Sequence, residues 1–183
     1  MTPPATPRGD GVPPITSTKI VVSGGFGVGK TTLVTSVSEI EPLTTESVMT
    51  VASAATDRLE GLPDKTTTTV ALDFGRVTLD SDLVLYLFGT PGQGRFRFMW
   101  DDLVRGAVGA VVLVDTRRVE DCFPAVDYFE RSGLPFIVAI NTFDGAPRYP
   151  DSELREALSL SPNTPLLSCD ARDRKSAAGA LAS

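Results

Sequence analysis

The chain has 183 residues, of which 42% are hydrophobic and 22% charged, as expected of a single globular domain. Its formal net charge of −6 argues against nucleic acid as a partner, because binding without sequence preference needs a basic surface. The sequence contains no histidine, which excludes histidine-based acid–base catalysis and histidine-ligated metal sites within this chain.

The first predicted elements surround a glycine-rich motif. Residues 1–17 contain five prolines and predict a disordered leader, followed by one domain over residues 18–183. A strand is predicted at 19–23 and a helix at 30–39. Between them, the phosphate-loop pattern G-x-x-x-x-G-K-[ST] is matched at every fixed position. Its residues are Gly24, Gly25, Phe26, Gly27, Val28, Gly29, Lys30 and Thr31.

A strand, a glycine loop and a helix N-terminus in this order make an anion site. Backbone N–H groups of the loop and of the helix start, including Thr32, point at the phosphates, and the helix dipole favours their charge. Lys30 is expected to reach the β- and γ-phosphates, and the Thr31 hydroxyl to ligate Mg²⁺. A chance glycine-rich turn is the alternative, but both flanks of the motif match. The pattern predicts binding of a nucleoside triphosphate or its product.

The next segment, residues 41–67, is rich in Thr, Ser and Ala and has weak periodicity, which predicts a long mobile connection. A strand is predicted at 69–79. The four threonines at 66–69 enter this strand, and one hydroxyl closing on Mg²⁺ and the γ-phosphate would order the connection in the triphosphate state. Thr68 is favoured among them. The alternative for the whole run is the strand propensity of β-branched residues.

A near-continuous apolar run at 83–88 predicts a strand buried on both faces. Ligands in folds of this class bind beyond the carboxyl ends of the strands, so the following Gly-Thr-Pro-Gly-Gln sequence is a candidate site. The Gly92 N–H can approach a γ-phosphate, and Gln93 can orient an attacking water. A Pro-Gly turn is the alternative.

Further along, helices are predicted at 97–105 and 120–131, and strands at 107–114 and 135–140. Asn141 follows the last of these strands and stands three residues before Asp144. A carboxylate there can accept hydrogen bonds from N1–H and N2–H₂ of guanine, a donor pair that adenine lacks. The motif therefore favours guanine, with a turn or helix cap as the alternative.

The chain ends with a predicted helix at 151–158, a short strand at 166–167 and the sequence Ser-Cys-Asp-Ala-Arg. The N–H near Ala171 is a candidate donor to guanine O6, and the stem of Arg172 is expected to pack beside the base. A polar exit from a strand is nearly as good an explanation. Residues 175–183 allow only about two helical turns, and an exposed apolar strip beside so short a helix would favour a partner or a homodimer.

Strands that alternate with helices predict an α/β fold, a three-layer P-loop NTPase of small G-protein type with a mainly parallel central sheet. Cys122 and Cys169 are too few for a disulfide framework in a chain of this size. In the absence of a visible secretory signal they indicate reduced thiols and a cytoplasmic protein. No apolar stretch approaches the length of a membrane span.

Taken in order, the motifs resemble a small Ras-like GTPase: GGFGVGKT, a threonine before the second strand, TPGQ, NxxD and DAR. LFGTPGQ, RFRFMWDDLVRGAVGAVVLVDTRR, DCFPAVDYFE and NTFDGAPRY resemble the actinobacterial conservon GTPases, often labelled only as ATP/GTP-binding proteins and similar to the bacterial gliding-motility polarity GTPases. The resemblance implies GTP/GDP switching with Mg²⁺, and partners of Roadblock/LC7 type beside a sensor-kinase-like protein. Contact with the inner membrane face is then expected only through these partners.

Two departures from the Ras-like pattern matter. Gly89 stands where such proteins carry the aspartate of D-x-x-G, which holds a Mg²⁺-bound water. We hypothesise that Asp73, on the neighbouring strand, supplies this carboxylate through water; an ordinary polar strand residue is the alternative. Thr142 stands where a lysine packs over guanine and braces the phosphate loop. Nucleotide affinity should suffer more than base choice, because Asp144 remains.

The sequence is compatible with three candidate functions. The first is a GTPase switch, in which Lys30, Mg²⁺ and backbone N–H groups neutralise charge while Gln93 positions water. Without a positioned arginine its hydrolysis should be slow, on the order of 10⁻³ s⁻¹ or below. The second is a scaffold that binds GDP or GTP with little hydrolysis, which Gly89 and Thr142 support. The third, an ATP-dependent small-molecule kinase, is disfavoured by Asp144 and by the lack of a basic lid.

Overall fold

The computed structural model describes residues 15–41, 43–50 and 67–183, with side chains at 15–41 and 72–183. The strands are β1 (Thr16–Gly24), β2 (Leu43–Thr50), β3 (Thr67–Asp80), β4 (Leu83–Gly89), β5 (Gly109–Val114), β6 (Phe136–Asn141) and β7 (Leu166–Cys169). The α-helices are α1 (Lys30–Val37), α2 (Trp100–Val104), α3 (Phe123–Ser132), α4 (Asp151–Ala157) and α5 (Arg174–Leu181). Short 3₁₀ segments at Gly94–Met99 and Val119–Cys122 precede α2 and α3.

The described strands form one sheet in the order β2-β3-β4-β1-β5-β6-β7. β3 runs antiparallel to both β2 and β4, whereas the pairs β1–β4, β1–β5, β5–β6 and β6–β7 are parallel. The five parallel strands therefore end at one edge of the sheet, where ligands bind in open α/β folds. The predicted α/β architecture with a mainly parallel sheet is confirmed.

Helices cover both faces of the sheet because its central strands are apolar on both sides. Val21 and Val22 are adjacent in β1 and fully buried, and they belong to different hydrophobic clusters. The Val22 cluster includes Leu33 of α1 and Ala177 of α5, whereas the Val21 cluster includes Phe129 of α3. Successive strand residues thus pack against opposite layers, as the pleat requires. None of the helices in the described ranges is long and apolar enough to cross a membrane.

Two predictions about the chain's course need correction. β2 forms within residues 41–67, where a structureless connection was expected, because its backbone pairs antiparallel with β3 from Leu43↔Phe74 to Thr50↔Thr67. Residues 51–66 lie outside the described residues. β1 begins at Thr16, two residues before the expected start of the domain, because Thr16 already pairs with Leu83 of β4. The remainder of the expected leader, residues 1–14, also lies outside the description.

Candidate functional site

The phosphate loop, residues 24–31, connects the end of β1 to the start of α1. It turns with positive φ at Gly24, Gly27 and Gly29 (135°, 71° and 104°), conformations that glycine adopts without the strain of a Cβ. Phe26, at the tip, is 63% exposed. α1 begins at Lys30 with no side-chain cap, so its first N–H groups keep their capacity to bind an anion.

Lys30 is buried at the base of the phosphate loop, with 8% of its surface exposed. Its ammonium donates to Gly24 O at 3.1 Å and to Gly25 O at 2.7 Å. Burial lowers the pKa of Lys30 to about 8, and the Asp73 carboxylate acts in the opposite direction. A cation held in this way lacks a direct anionic partner among the described residues, and phosphate oxygens would supply one.

We expect GDP affinity to fall as the pH rises through about 8, where the free protein loses a Lys30 proton that bound phosphates would retain. Binding then takes up a proton, so the dissociation constant rises by up to about tenfold per pH unit. The stability of the folded, nucleotide-free protein depends on pH with the opposite sign. Between about 8 and 10.5 the unfolded chain holds more protons at this lysine, so the stability of the nucleotide-free protein rises with pH. Calorimetric titration and thermal unfolding measure both slopes; a pH-independent dissociation constant would contradict the buried lysine.

Asp73 lies beside the phosphate loop. The register of β3 and β4 pairs it with Gly89, and its carboxylate, 8% exposed, accepts a hydrogen bond from Thr31 Oγ1 at 2.8 Å. A Cβ at position 89 would lie 2.8 Å from Asp73 Oδ2 and 2.9 Å from Asp73 Cβ. The side chain of Asp73 thus occupies the space that a residue larger than glycine would need on β4.

A hydroxyl and a carboxylate are the oxygen donors that Mg²⁺ prefers, and Mg²⁺ usually takes only one or two protein ligands beside phosphates and water. Thr31 and Asp73 fit that requirement. Among the described residues there is no cluster of three or more Asp, Glu, Cys or His side chains able to hold a metal by themselves. Thr68, the third expected ligand, lies in β3 opposite Met49, and its side chain is outside the described residues.

The loop after β4, residues 90–93, closes one side of a cleft of about 340 Å³. The cleft is lined by Phe26, Gly27, Gly29, Lys30, Thr31, Thr32, Asp73, Thr90, Pro91, Gly92, Gln93 and Phe96. A Cβ on Gly92 would lie 2.7 Å from Lys30 Nζ. Buried Thr90 donates to Ser23 Oγ at 2.9 Å, which fixes this loop to the end of β1. Gly92 and exposed Gln93 therefore line the same cleft as Lys30 and Asp73.

The arginines that follow Gln93 do not line this cleft in the described part of the chain. The Arg95 guanidinium lies 4.8 Å from the centre of the Phe96 ring. Arg97 packs against Gly94, where a Cβ would meet its Nη2 at 3.4 Å. The cleft lining contains no arginine among the described residues.

Asn141, at the end of β6, links its own strand end to the phosphate loop after β1 and to the segment after β7. It is 4% exposed; its Nδ2 donates to Val28 O at 2.8 Å, and its Oδ1 accepts from Ala171 N at 3.0 Å. Ala171 is buried as well, and its N–H, expected to meet guanine O6, is instead used by Asn141. This bond belongs to the scaffold that holds the phosphate loop, so Asn141 acts on that loop.

Asp144 and Arg172 meet at the outer end of the site, beside a pocket of about 430 Å³ that both residues and Asp170 line. Arg172 Nη1 and Nη2 donate to the two Asp144 oxygens at 3.0 and 3.3 Å, and Nε and Nη2 donate to Asp170 at 3.0 and 2.9 Å. The hydrogen bonds from Arg172 lower the pKa of Asp144 and of Asp170. The Arg172 guanidinium is thus held in an ion triad with Asp144 and Asp170.

Charged residues directly after β5 also reach the site, although they were not predicted from the sequence. Asp115 is buried and Arg118 contacts the phosphate loop at Phe26. They belong to a polar run immediately after a buried strand, at the carboxyl edge of the sheet. The same pattern led to the candidate sites after the other strands, and it could have identified these residues from the sequence.

Comparisons with known proteins agree with this geometry. A family model described as "Conserved hypothetical ATP binding protein" matches residues 22–183. A Methanocaldococcus jannaschii protein named uncharacterized protein MJ1339 is 30% identical over 128 residues, covering 69% of this chain and 70% of that protein. The FeoB G-domain from Methanococcus jannaschii has a similar fold, with a TM-score of 0.53, 15% identity, and coverage of 86% of this chain and 88% of that chain.

At 15% identity, the likeness to the FeoB G-domain concerns the fold alone. The family match extends over most of the chain and includes the phosphate loop from Val22 onward. Together with the loop geometry, it supports nucleotide binding by a P-loop protein with a G-domain fold.

Proposed function

This chain belongs to the family described as conserved hypothetical ATP binding proteins, and we propose that it is a molecular switch that binds GTP and GDP and hydrolyses GTP slowly with Mg²⁺. The observation that carries the proposal is the close packing of Gly92 on Lys30, where a Cβ on Gly92 would lie 2.7 Å from the ammonium. A γ-phosphate held by Lys30 must share this space with Gly92, so the loop after β4 responds to whether a third phosphate is present.

Guanine preference rests on Asp144, which is exposed at the edge of the outer pocket. Both of its oxygens accept from Arg172 in the free protein, and N1–H and N2–H₂ of guanine would take over acceptor positions on the same carboxylate. Adenine provides no such pair of donors. We therefore propose GTP as the ligand in preference to ATP.

Catalysis by this site would rest on positioning and charge neutralisation, since phosphoryl transfer to water needs little covalent chemistry. Thr31 and Asp73 would hold Mg²⁺, which neutralises charge on the β- and γ-phosphates when bound. Lys30 and the loop N–H groups bind the same oxygens, and Gln93 orients the attacking water. Since no arginine among the described residues lines the cleft, we expect intrinsic turnover on the order of 10⁻³ s⁻¹ or below.

The resemblance to the conservon GTPases extends the proposal to a bacterial signalling complex. We propose a cytoplasmic switch whose partners are a Roadblock/LC7-type protein and a sensor-kinase-like protein, which recruit it to the inner membrane face. At the sheet edge opposite the phosphate loop, a largely apolar groove of about 690 Å³ runs beside α5 and includes Val108 and Leu181. This groove supports the expectation that a partner or a second copy packs there.

A scaffold that binds nucleotide without useful hydrolysis is the second candidate, favoured by the arginine-free lining of the described cleft. One experiment separates the two. Binding of GDP, GTP and ATP is measured with Mg²⁺, and phosphate release is followed for wild type and Gln93→Leu. We expect GTP over ATP by at least about tenfold, and slow release that Gln93→Leu reduces a further tenfold or more. A preference for ATP would overturn the switch; binding of GTP without release under any condition would favour the scaffold.

A further inference from the structure

The turn after β5 carries two arginines anchored on one buried carboxylate. Asp115 is 3% exposed and accepts from Arg117 Nε at 2.9 Å and Nη2 at 2.7 Å, as well as from the Arg117 backbone N–H at 2.9 Å. Arg118 Nη2 lies 3.8 Å from the same carboxylate. The hydrogen bond from Arg117 lowers the pKa of Asp115. The carboxylate is thus a fixed anion that orients both guanidinium groups.

The two arginines point to different parts of the site. Arg118 Nη2 donates to Phe26 O at 3.1 Å, and its Nη1 lies 3.5 Å from Asp121. Arg117 lies over the ring of Phe143, with its Cζ 4.0 Å from the ring centre. Phe143 lies between Asn141 and Asp144, in the segment that carries the base-selecting carboxylate. The turn therefore contacts the phosphate loop on one side and residues 141–144, the base loop, on the other.

The contact of Arg118 completes a pattern in the phosphate loop. Lys30 holds Gly24 O and Gly25 O, Arg118 holds Phe26 O, and Asn141 holds Val28 O. A trans peptide is planar, with C=O and N–H on opposite sides. Because Arg118 holds Phe26 O, the N–H of Gly27 that follows points to the other side of that peptide, and Gly27 lines the cleft. Thr142 provides no cation for this purpose, since its hydroxyl donates to Cys169 O at 3.3 Å.

We propose that Arg117 and Arg118, anchored on Asp115, are positioning residues that fix the phosphate loop and the base loop relative to each other before a nucleotide binds. The inference rests on the proposed nucleotide binding. Arg118 orients the N–H that follows Phe26, and Arg117 holds Phe143 and with it the neighbouring Asp144. The N–H donors of the phosphate loop and the Asp144 carboxylate are then already in place when a nucleotide binds, which lowers the entropic cost of ordering them.

The test uses the full chain, with GDP and inorganic tripolyphosphate as probes. We expect Arg118→Ala to weaken both ligands by about tenfold, mainly through faster dissociation, because the contact acts on the phosphate loop. Arg117→Ala should weaken GDP by a similar factor while leaving tripolyphosphate unchanged, because its contact is with the base loop. Arg118→Lys retains a donor for Phe26 O and should recover most of the affinity.

Thermal unfolding without ligand separates positioning from a general structural role. Arg118→Ala, on a half-exposed turn, should leave the Tm of the nucleotide-free protein within about 2 °C, whereas a loss of folding would lower it and would not be rescued by lysine. Arg117→Ala removes hydrogen bonds from the buried Asp115 and should lower the Tm, so its positioning role is read from the unchanged tripolyphosphate affinity. Arg105→Ala, whose ion pair with Asp102 is largely exposed to solvent, is the matched control and should change neither measurement. Unchanged GDP affinity in Arg118→Ala overturns this inference alone. Failure of the wild type to bind any nucleotide overturns the proposed function.

Discussion

Replacing Lys30 with methionine is expected to raise the Tm of the nucleotide-free protein while weakening GDP binding by roughly 100-fold or more. The folded chain holds this ammonium in a buried position where its pKa falls to about 8, so its charged form is disfavoured. Methionine fills a similar volume without a charge to desolvate. Each kcal/mol gained adds about 2–4 °C in a protein of this size, and we expect a rise of a few degrees. Differential scanning calorimetry and equilibrium binding measure the two effects.

Lys175→Met provides the control, since Lys175 is exposed on α5 and far from the phosphate loop in the sequence. It should change neither quantity. A higher Tm together with weaker GDP binding is the important result, because it shows that Lys30 destabilises the free protein and is stabilised only by the ligand. A lower Tm together with unchanged GDP affinity for Lys30→Met would show that the ammonium serves the fold, contrary to this account.

The second large effect is expected when the carboxylate of Asp73 is removed or is moved to position 89. Asp73→Asn should reduce the gain in GTP affinity that Mg²⁺ provides by about 10- to 100-fold, because the metal-bound water loses its acceptor. Gly89→Asp alone should be as damaging, since its Cβ would lie 2.8 Å from Asp73 Oδ2 and a second carboxylate would be buried there. The exchange Asp73→Gly with Gly89→Asp removes the clash and restores one carboxylate to the same place. We expect it to recover most of the loss.

GTP affinity is measured with Mg²⁺ and with a chelator for each variant, and circular dichroism checks that each is folded. Affinity without the metal should differ little between wild type and Asp73→Asn. Asp127→Asn, on the exposed side of α3, serves as the charge-matched control. If Asp73→Asn keeps the full gain in GTP affinity that Mg²⁺ provides, Asp73 is an ordinary polar strand residue. The proposal that its carboxylate replaces the one missing at position 89 is then wrong.

Strands and helices were well predicted where their pattern is local. The apolar run of β4 and the glycine spacing of the phosphate loop are properties of a few consecutive residues, and both were located correctly. β2 was missed because Leu43–Thr50 alternates too weakly to indicate a strand, and it exists through its pairing with β3. The hypothesis about Asp73 needed only the idea that two strands are neighbours, whereas its hydrogen bond to Thr31 depends on their register.

By itself, the sequence determined the phosphate loop, the alternation of strands and helices and the position of Asn141 and Asp144 after a buried strand, because each is encoded in residue types at short spacing. The tertiary structure alone decided that Lys30 is buried against its own loop, that Arg172 holds Asp144, and that Arg118 holds Phe26 O. These contacts join chain segments that only strand order and register bring together. In the last of them, the two residues are 92 positions apart in the sequence.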